Sequence, residues 1–214
     1  MTSPPADHAA SFARVCGAIA VAGVAVFAGV CLGVQVLRTD LDWAAAPLSY
    51  YLTGDYGAVV QAAYVALSVA LAALGAGFYR GSAAARSAAP LLLFVAAAAA
   101  LTVTAASEAA KAQGQREFWA FVHGLAAQTT FLCVTVAMIL QALRLRLDRR
   151  WRACFVPMLV LAFAAFAALW VHALTHALPR GLSQKAVVVL ILFWLGWAAI
   201  ALRRLPAGDP ADAA

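Results

Sequence analysis

Six long apolar stretches dominate this chain of 214 residues. They are Phe12–Leu37, Tyr56–Tyr79, Ala88–Ala106, Phe118–Leu143, Ala153–Ala173 and Ala186–Leu202. Each is at least 17 residues long, and a helix needs about 20 apolar residues to cross the hydrocarbon core of a bilayer. The alternation of polarity at every second residue that a membrane β-barrel requires is absent. The sequence therefore predicts an all-α membrane protein, built as a six-transmembrane-helix bundle.

The composition supports lipid as the main solvent of this chain. Hydrophobic residues make up 65% and charged residues 11%, whereas a soluble domain is about half apolar and about a quarter charged. The six segments and their short connections use most of the chain, which leaves no room for a soluble domain. We expect a transmembrane domain over residues 12–205, with disordered tails at 1–11 and 206–214 that are rich in Ala, Pro and Asp.

The charges alternate from one connection to the next. The two termini and the second and fourth connections hold ten basic residues against four acidic ones, and the other connections hold five of each. The first set comprises Arg14, Arg80, Arg86, Arg144, Arg146, Arg149, Arg150, Arg152, Arg203, Arg204, Asp7, Asp148, Asp209 and Asp212. The positive-inside rule then predicts cytoplasmic N- and C-termini in a multi-pass protein of the cell inner membrane. The net charge of +6 is interpreted as a topology signal, so no nucleic-acid partner is expected.

Polar side chains cluster on the predicted outer side. They are Ser49, Tyr50, Tyr51, Asp55, Glu108, His123, His172 and Gln184. Placing a polar side chain at membrane depth costs free energy, so such residues often mark a functional site. Short connections make sequential helices antiparallel neighbours, so we expect Glu108, His123 and His172 to converge on one outward-open cavity with Tyr50 or Tyr51 at its rim.

A metal site is the alternative interpretation of the histidines. His172 and His176 are spaced i, i+4, so one helix face could present both imidazoles to a zinc ion, with Glu108 and His123 completing the ligand set. A haem group ligated by His123 and His172 is a further alternative. The plainer interpretation, which we favour, is that these are interface histidines that bond to backbone or lipid headgroups. No cofactor is then expected. The four cysteines form no CxxC pair and are expected to be small buried hydrophobes.

Three short motifs resemble a known family. Pro47-Leu48-Ser49 ahead of Gly54-Asp55-Tyr56-Gly57 resembles the first outer loop of the domain of unknown function 998 family. His123 followed by Gly124, Ala126 and Ala127 resembles that family's fourth helix, and Gly181-Leu182-Ser183-Gln184-Lys185 resembles the G-L-x-Q start of its sixth. The resemblance covers about residues 12–205 and implies a prokaryotic six-helix membrane protein of unestablished activity, with Glu108 as the counterpart of an acidic residue near the end of helix three.

Two classes of function remain. The first is a non-enzymatic protein that binds or helps to move a lipid or other amphiphile through the outer polar cluster, with membrane lipids as partners and a homo-oligomer as a possible assembly. The second is a metal-dependent intramembrane hydrolase that uses the His and Glu residues of that cluster. A transporter of polar solutes is disfavoured, because no charged residue lies at mid-membrane and no pair of broken helices is evident.

Overall fold

The computed structural model of the protein describes residues 5–111, 114–175 and 177–206. The described chain forms six long helices and no strand. The helices are α1 Pro5–Leu37, α2 Gly57–Gly81, α3 Ala88–Lys111, α4 Arg116–Leu145, α5 Phe155–Leu174 and α6 Arg180–Arg203. Each of the six is long and apolar enough to cross a membrane. The all-α, six-helix prediction is confirmed.

Several helices continue past the apolar runs that predicted them. The first begins at Pro5, before the predicted start at residue 12, and the third ends at Lys111 instead of residue 106. A helix satisfies its own backbone hydrogen bonds, so it can extend into the polar interface where the hydropathy signal has ended. Residues 1–4 and 207–214 of the predicted tails lie outside the described chain.

The helices form a closed ring, because each packs against the next one along the chain and α6 also packs against α1. Glycines allow the closest approaches. A Cβ added at Gly17 would lie 2.5 Å from the backbone nitrogen of Arg203 on α6, and one added at Gly23 would lie 2.5 Å from the carbonyl oxygen of Ala66 on α2. Lipid provides no hydrophobic drive between helices, so this backbone-to-backbone packing is what associates them.

At the end of the bundle that carries the termini, Asp148 joins two connections through hydrogen bonds. Its carboxylate is buried and accepts hydrogen bonds from the guanidinium of Arg150, at 2.6 and 2.9 Å, and from the backbone N–H of Ala83, at 3.0 Å. Arg150 also donates to the carbonyl oxygen of Gly81 at 2.7 Å. Burial would raise the pKa of Asp148, but these hydrogen bonds outweigh it and lower the pKa. The basic loop 144–152 is therefore fixed to the end of α2.

Candidate functional site

The opposite end of the bundle, which we call the cap end, carries the connection from α1 to α2, residues 38–56. Arg38 organises this connection. Its guanidinium donates to both carboxylate oxygens of Asp40, at 2.7 and 2.8 Å, and to the carbonyl oxygens of Thr53, at 2.8 Å, and Asp55, at 3.1 Å. The hydrogen bond to Asp40 raises the pKa of Arg38 and lowers that of Asp40. Asp55, predicted to bind a ligand, contributes its backbone carbonyl to this turn.

The start of α6 docks against the same connection. The backbone N–H groups of Gly181 and Leu182 donate to the carbonyl oxygens of Ala45, at 3.1 Å, and Ala44, at 2.8 Å. A Cβ at Gly181 would lie 2.5 Å from the carbonyl oxygen of Ala46, so only glycine permits this approach. Part of the G-L-x-Q motif is thus explained by packing.

Two side chains that follow this glycine complete the docking. The side-chain oxygen of Gln184 accepts a hydrogen bond from the backbone N–H of Leu48 at 2.8 Å. Lys185 donates to the carbonyl oxygens of Trp43 and Ala46. Leu48 begins a short 3-10 helix, Leu48–Leu52, that covers the cap end. Gln184 and Lys185 therefore hold this cover on the bundle.

Glu108 and His123 meet between α3 and α4, as the short connection predicted. Nδ1 of His123 lies 3.1 Å from a carboxylate oxygen of Glu108, 3.1 Å from the carbonyl oxygen of Thr104 and 3.3 Å from the hydroxyl of Ser107. Lys111 pairs with the same carboxylate at 2.5 Å. Both Glu108 and His123 have side chains only 13% exposed. The group is a buried imidazole whose Nδ1 is held against α3.

His172 takes a different partner. Its Nδ1 lies 2.8 Å from the hydroxyl of Ser183 on α6, and its carbonyl oxygen accepts from Arg180 at 3.3 Å. It does not line the cavity that His123 lines, so the expected convergence of the three residues is limited to Glu108 and His123. His176, the other proposed zinc ligand, lies outside the described residues. Within 5–111, 114–175 and 177–206, no three His, Cys, Asp or Glu side chains are grouped to hold a metal ion.

A cavity of about 70 Å³, which we call the inner cavity, lies beside His123. Ser49, His123 and Gln184 are the predicted site residues that line it. Tyr50 is 59% exposed at the surface of the bundle, whereas Tyr51 is fully buried and its hydroxyl has no hydrogen-bond partner among the described residues. Burial raises the pKa of Tyr51. The cap end thus brings together three of the predicted residues on one cavity. Neither Tyr50 nor Tyr51, one of which was expected at its rim, is among the residues that line it.

A larger apolar space, the α1–α6 groove, lies on the side of the bundle. The two helices touch near Gly17 and Arg203. They enclose the groove, of about 690 Å³, between Val24 and Val36 on α1 and between Lys185 and Phe193 on α6. Its polar lining residues are Gln35 and Lys185, and Trp43 lies beside them. Neither Gln35 nor Lys185 was predicted to be a site residue. A polar residue inside the first apolar run was the available signal for Gln35.

Comparison with known proteins identifies the family. No curated protein and no solved structure matches the chain. The family described as Protein of unknown function (DUF998) matches residues 21–201, a range that includes α2 to α5 completely, nearly all of α6 and about half of α1. This match and the six-helix architecture agree with the resemblance seen in the three motifs. The chain belongs to the DUF998 family of membrane proteins.

Proposed function

We propose that this protein binds a membrane phospholipid with an anionic headgroup in the α1–α6 groove. The observation that carries the proposal is the groove itself. Its volume of about 690 Å³ falls within the roughly 300–1,000 Å³ of small-molecule sites, and its walls are almost entirely apolar along the depth of the bundle. An acyl chain fits these walls, and the headgroup would lie at the cap end beside Lys185 and Trp43.

Lys185 is suited to an anionic headgroup. Its ammonium has three N–H donors, and two are used on the carbonyl oxygens of Trp43 and Ala46. The ammonium also lies 5.8 Å from the ring centroid of Trp43 and 5.7 Å from that of Tyr51, an arrangement that favours a cation. One donor is left for a phosphate oxygen, and the two carbonyls fix the ammonium at the mouth of the groove.

The headgroup contributes most of the selectivity in this proposal. Lipid tails are as apolar as the groove walls, so an acyl chain that leaves the bilayer for the groove gains packing but little hydrophobic free energy. A charged contact at the polar end of the groove gains more. We also propose that the cap end faces away from the cytoplasm in the inner membrane. The excess of basic residues at the opposite end of the bundle supports this orientation.

The test is to fill the groove and count the lipids that the purified protein retains. Ala28 lines the groove, whereas Ala25 on the same helix is exposed outside it. In native mass spectrometry of the protein extracted in a mild detergent, wild type and Ala25→Phe should carry a bound phospholipid and Ala28→Phe should lose it. Equal phospholipid retention in the two variants would show that the groove is not the lipid site.

A further inference from the structure

The inner cavity has a chemistry of its own, distinct from that of the groove. It is lined by residues from α1, the 3-10 helix, α2, α3, α4 and α6. Its polar lining consists of Ser49, Tyr64, Thr104, His123, Thr130 and Gln184. No Asp, Glu, Lys or Arg is among the described residues that line it. A charged ligand would therefore be desolvated there without a counter-charge on the cavity wall, which is costly.

The neighbours of His123 fix which of its ring nitrogens is a donor. Nδ1 faces a backbone carbonyl of Thr104 and a carboxylate oxygen of Glu108, both at 3.1 Å, and both groups accept hydrogen bonds. The neutral imidazole must then carry its proton on Nδ1. Nε2 makes no hydrogen bond with any described residue, and its lone pair is available as an acceptor.

The amide of Gln184 is fixed in the same way. Its oxygen accepts from the backbone N–H of Leu48 at 2.8 Å, and a backbone N–H can only bond to the oxygen of the amide. The NH₂ group of Gln184 is then its free donor. This NH₂ group is a neutral donor that α6 contributes to the cavity. The acceptor Nε2 of His123 is contributed by α4.

The two threonines add acceptors. The hydroxyl of Thr104 donates to the carbonyl oxygen of Ala100 and that of Thr130 donates to the carbonyl oxygen of Ala126, each at 2.9 Å. Their protons are used within their own helices, so only oxygen lone pairs remain for the cavity. The lining thus offers neutral acceptors together with one amide donor and the hydroxyls of Ser49 and Tyr64.

From this inventory we propose that the inner cavity is a second binding site, which takes a neutral, hydroxyl-bearing group of about the size of glycerol. Each hydroxyl can donate to His123 or a threonine and accept from Gln184, whereas a carboxylate or phosphate only accepts and an ammonium only donates. A water-sized position needs about 10–15 Å³. The cavity of about 70 Å³ therefore holds roughly five such positions, close to the size of a three-carbon polyol.

Two sources of this group share the chemistry. It is either a free small polyol or the headgroup of an uncharged glycerolipid. In the second case the acyl chain leaves towards the α1–α6 groove, because four side chains line both spaces. These are Phe27, Leu48, Val188 and Leu192.

The experiment titrates the full-length protein in detergent with glycerol and with 1-monooleoylglycerol, with oleate as the charged control. The readout is the ¹⁵N resonance of His123 Nε2 in histidine-labelled protein. We expect an unprotonated Nε2 that shifts when a neutral probe binds and does not shift with oleate. His123→Asn keeps a donor near the position of Nδ1 and removes Nε2. Its affinity for the neutral probes, compared with that of wild type by isothermal titration calorimetry, should therefore fall about tenfold, as expected for one lost hydrogen bond.

A steric variant keeps the test decisive if His123→Asn fails to fold. Ala127 lines the cavity and Gln128 is exposed beside it, so Ala127→Leu should abolish binding and Gln128→Leu should retain it.

The groove variant Ala28→Phe distinguishes the two sources. If it weakens the binding of 1-monooleoylglycerol alone, the source is a glycerolipid; if it weakens the binding of neither probe, the source is a free polyol. The proposal fails if neither neutral probe binds, if binding survives in Ala127→Leu, or if oleate shifts Nε2 equally. None of these outcomes depends on phospholipid retention, which tests the groove separately.

Discussion

Two glycines on α1 allow the packing of the bundle to be tested with a single kind of substitution. Gly23 and Gly29 both lie inside the helix Pro5–Leu37. A Cβ at Gly23 would lie 2.5 Å from the carbonyl oxygen of Ala66 and 2.8 Å from the Cβ of Ala70 on α2, whereas a Cβ at Gly29 would meet nothing within 4 Å. We predict that Gly23→Ala destabilises the protein and that Gly29→Ala stabilises it.

The magnitude follows from two opposing terms. Replacing a glycine by alanine inside a helix gains about 0.5–1 kcal/mol because the unfolded chain loses freedom. At Gly23 the new methyl group must be moved from 2.5 Å to an ordinary contact of 3.4–4 Å, which separates α1 from α2 by about 1 Å. Overpacking of this kind costs about 1–3 kcal/mol. The helix term is common to both variants, so their stabilities should differ by the overpacking cost alone, about 1–3 kcal/mol.

The assay is equilibrium unfolding in mixed micelles, with the mole fraction of a denaturing detergent as the variable and tryptophan fluorescence and circular dichroism as probes. The protein contains six tryptophans, and the two probes together test whether unfolding has two states. Gly29→Ala should unfold at or above the midpoint of wild type, and Gly23→Ala below it. A Gly23→Ala protein as stable as Gly29→Ala would refute the argument that backbone contact at Gly23 joins α1 to α2.

Two further predictions concern the hydrogen bonds of Asp148 and the topology of the chain. Asp148→Asn should lower the stability by about 1.5–3 kcal/mol at pH 7, the range for hydrogen bonds to a charged group, while the corresponding change at exposed Glu117, Glu117→Gln, should have little effect. Because the pKa of Asp148 is lowered in the folded protein, its contribution is complete above the unfolded value near 4 and is lost as the pH falls through the folded value. Thermal unfolding at several pH values should therefore show wild type approaching Asp148→Asn below about pH 4, and a constant gap would contradict the assignment. A reporter fused after Arg204 should be active in the cytoplasm and one placed at Gly114 in the periplasm, because three helices lie between the two sites; the same compartment for both would show that the helix count is wrong.

Part of the candidate site could be predicted from the sequence, because it depends on neighbours along the chain. Glu108 and His123 were expected to meet, since α3 and α4 are joined by a short connection and must be antiparallel neighbours, and Nδ1 of His123 does lie 3.1 Å from Glu108. His172 was expected in the same cluster because it lies at a similar depth. Depth does not fix the direction in which a side chain points around its helix, and His172 bonds to Ser183 instead.

The sequence alone determined the number and type of the helices, because crossing a bilayer depends on the length and hydropathy of each segment by itself. It could not distinguish Gly23 from Gly29, or show that a Cβ added at Gly29 or Gly33 would meet nothing within 4 Å while one added at Gly17 would meet the backbone of α6. All glycines are chemically the same, and a glycine becomes necessary for helix packing only where the backbone of another helix approaches it. The groove likewise exists only where α1 and α6 separate towards the cap end, and the inner cavity only where the 3-10 helix and five of the long helices surround one space. Such spaces are properties of the distances between helices, and hydropathy along one helix carries no information about those distances.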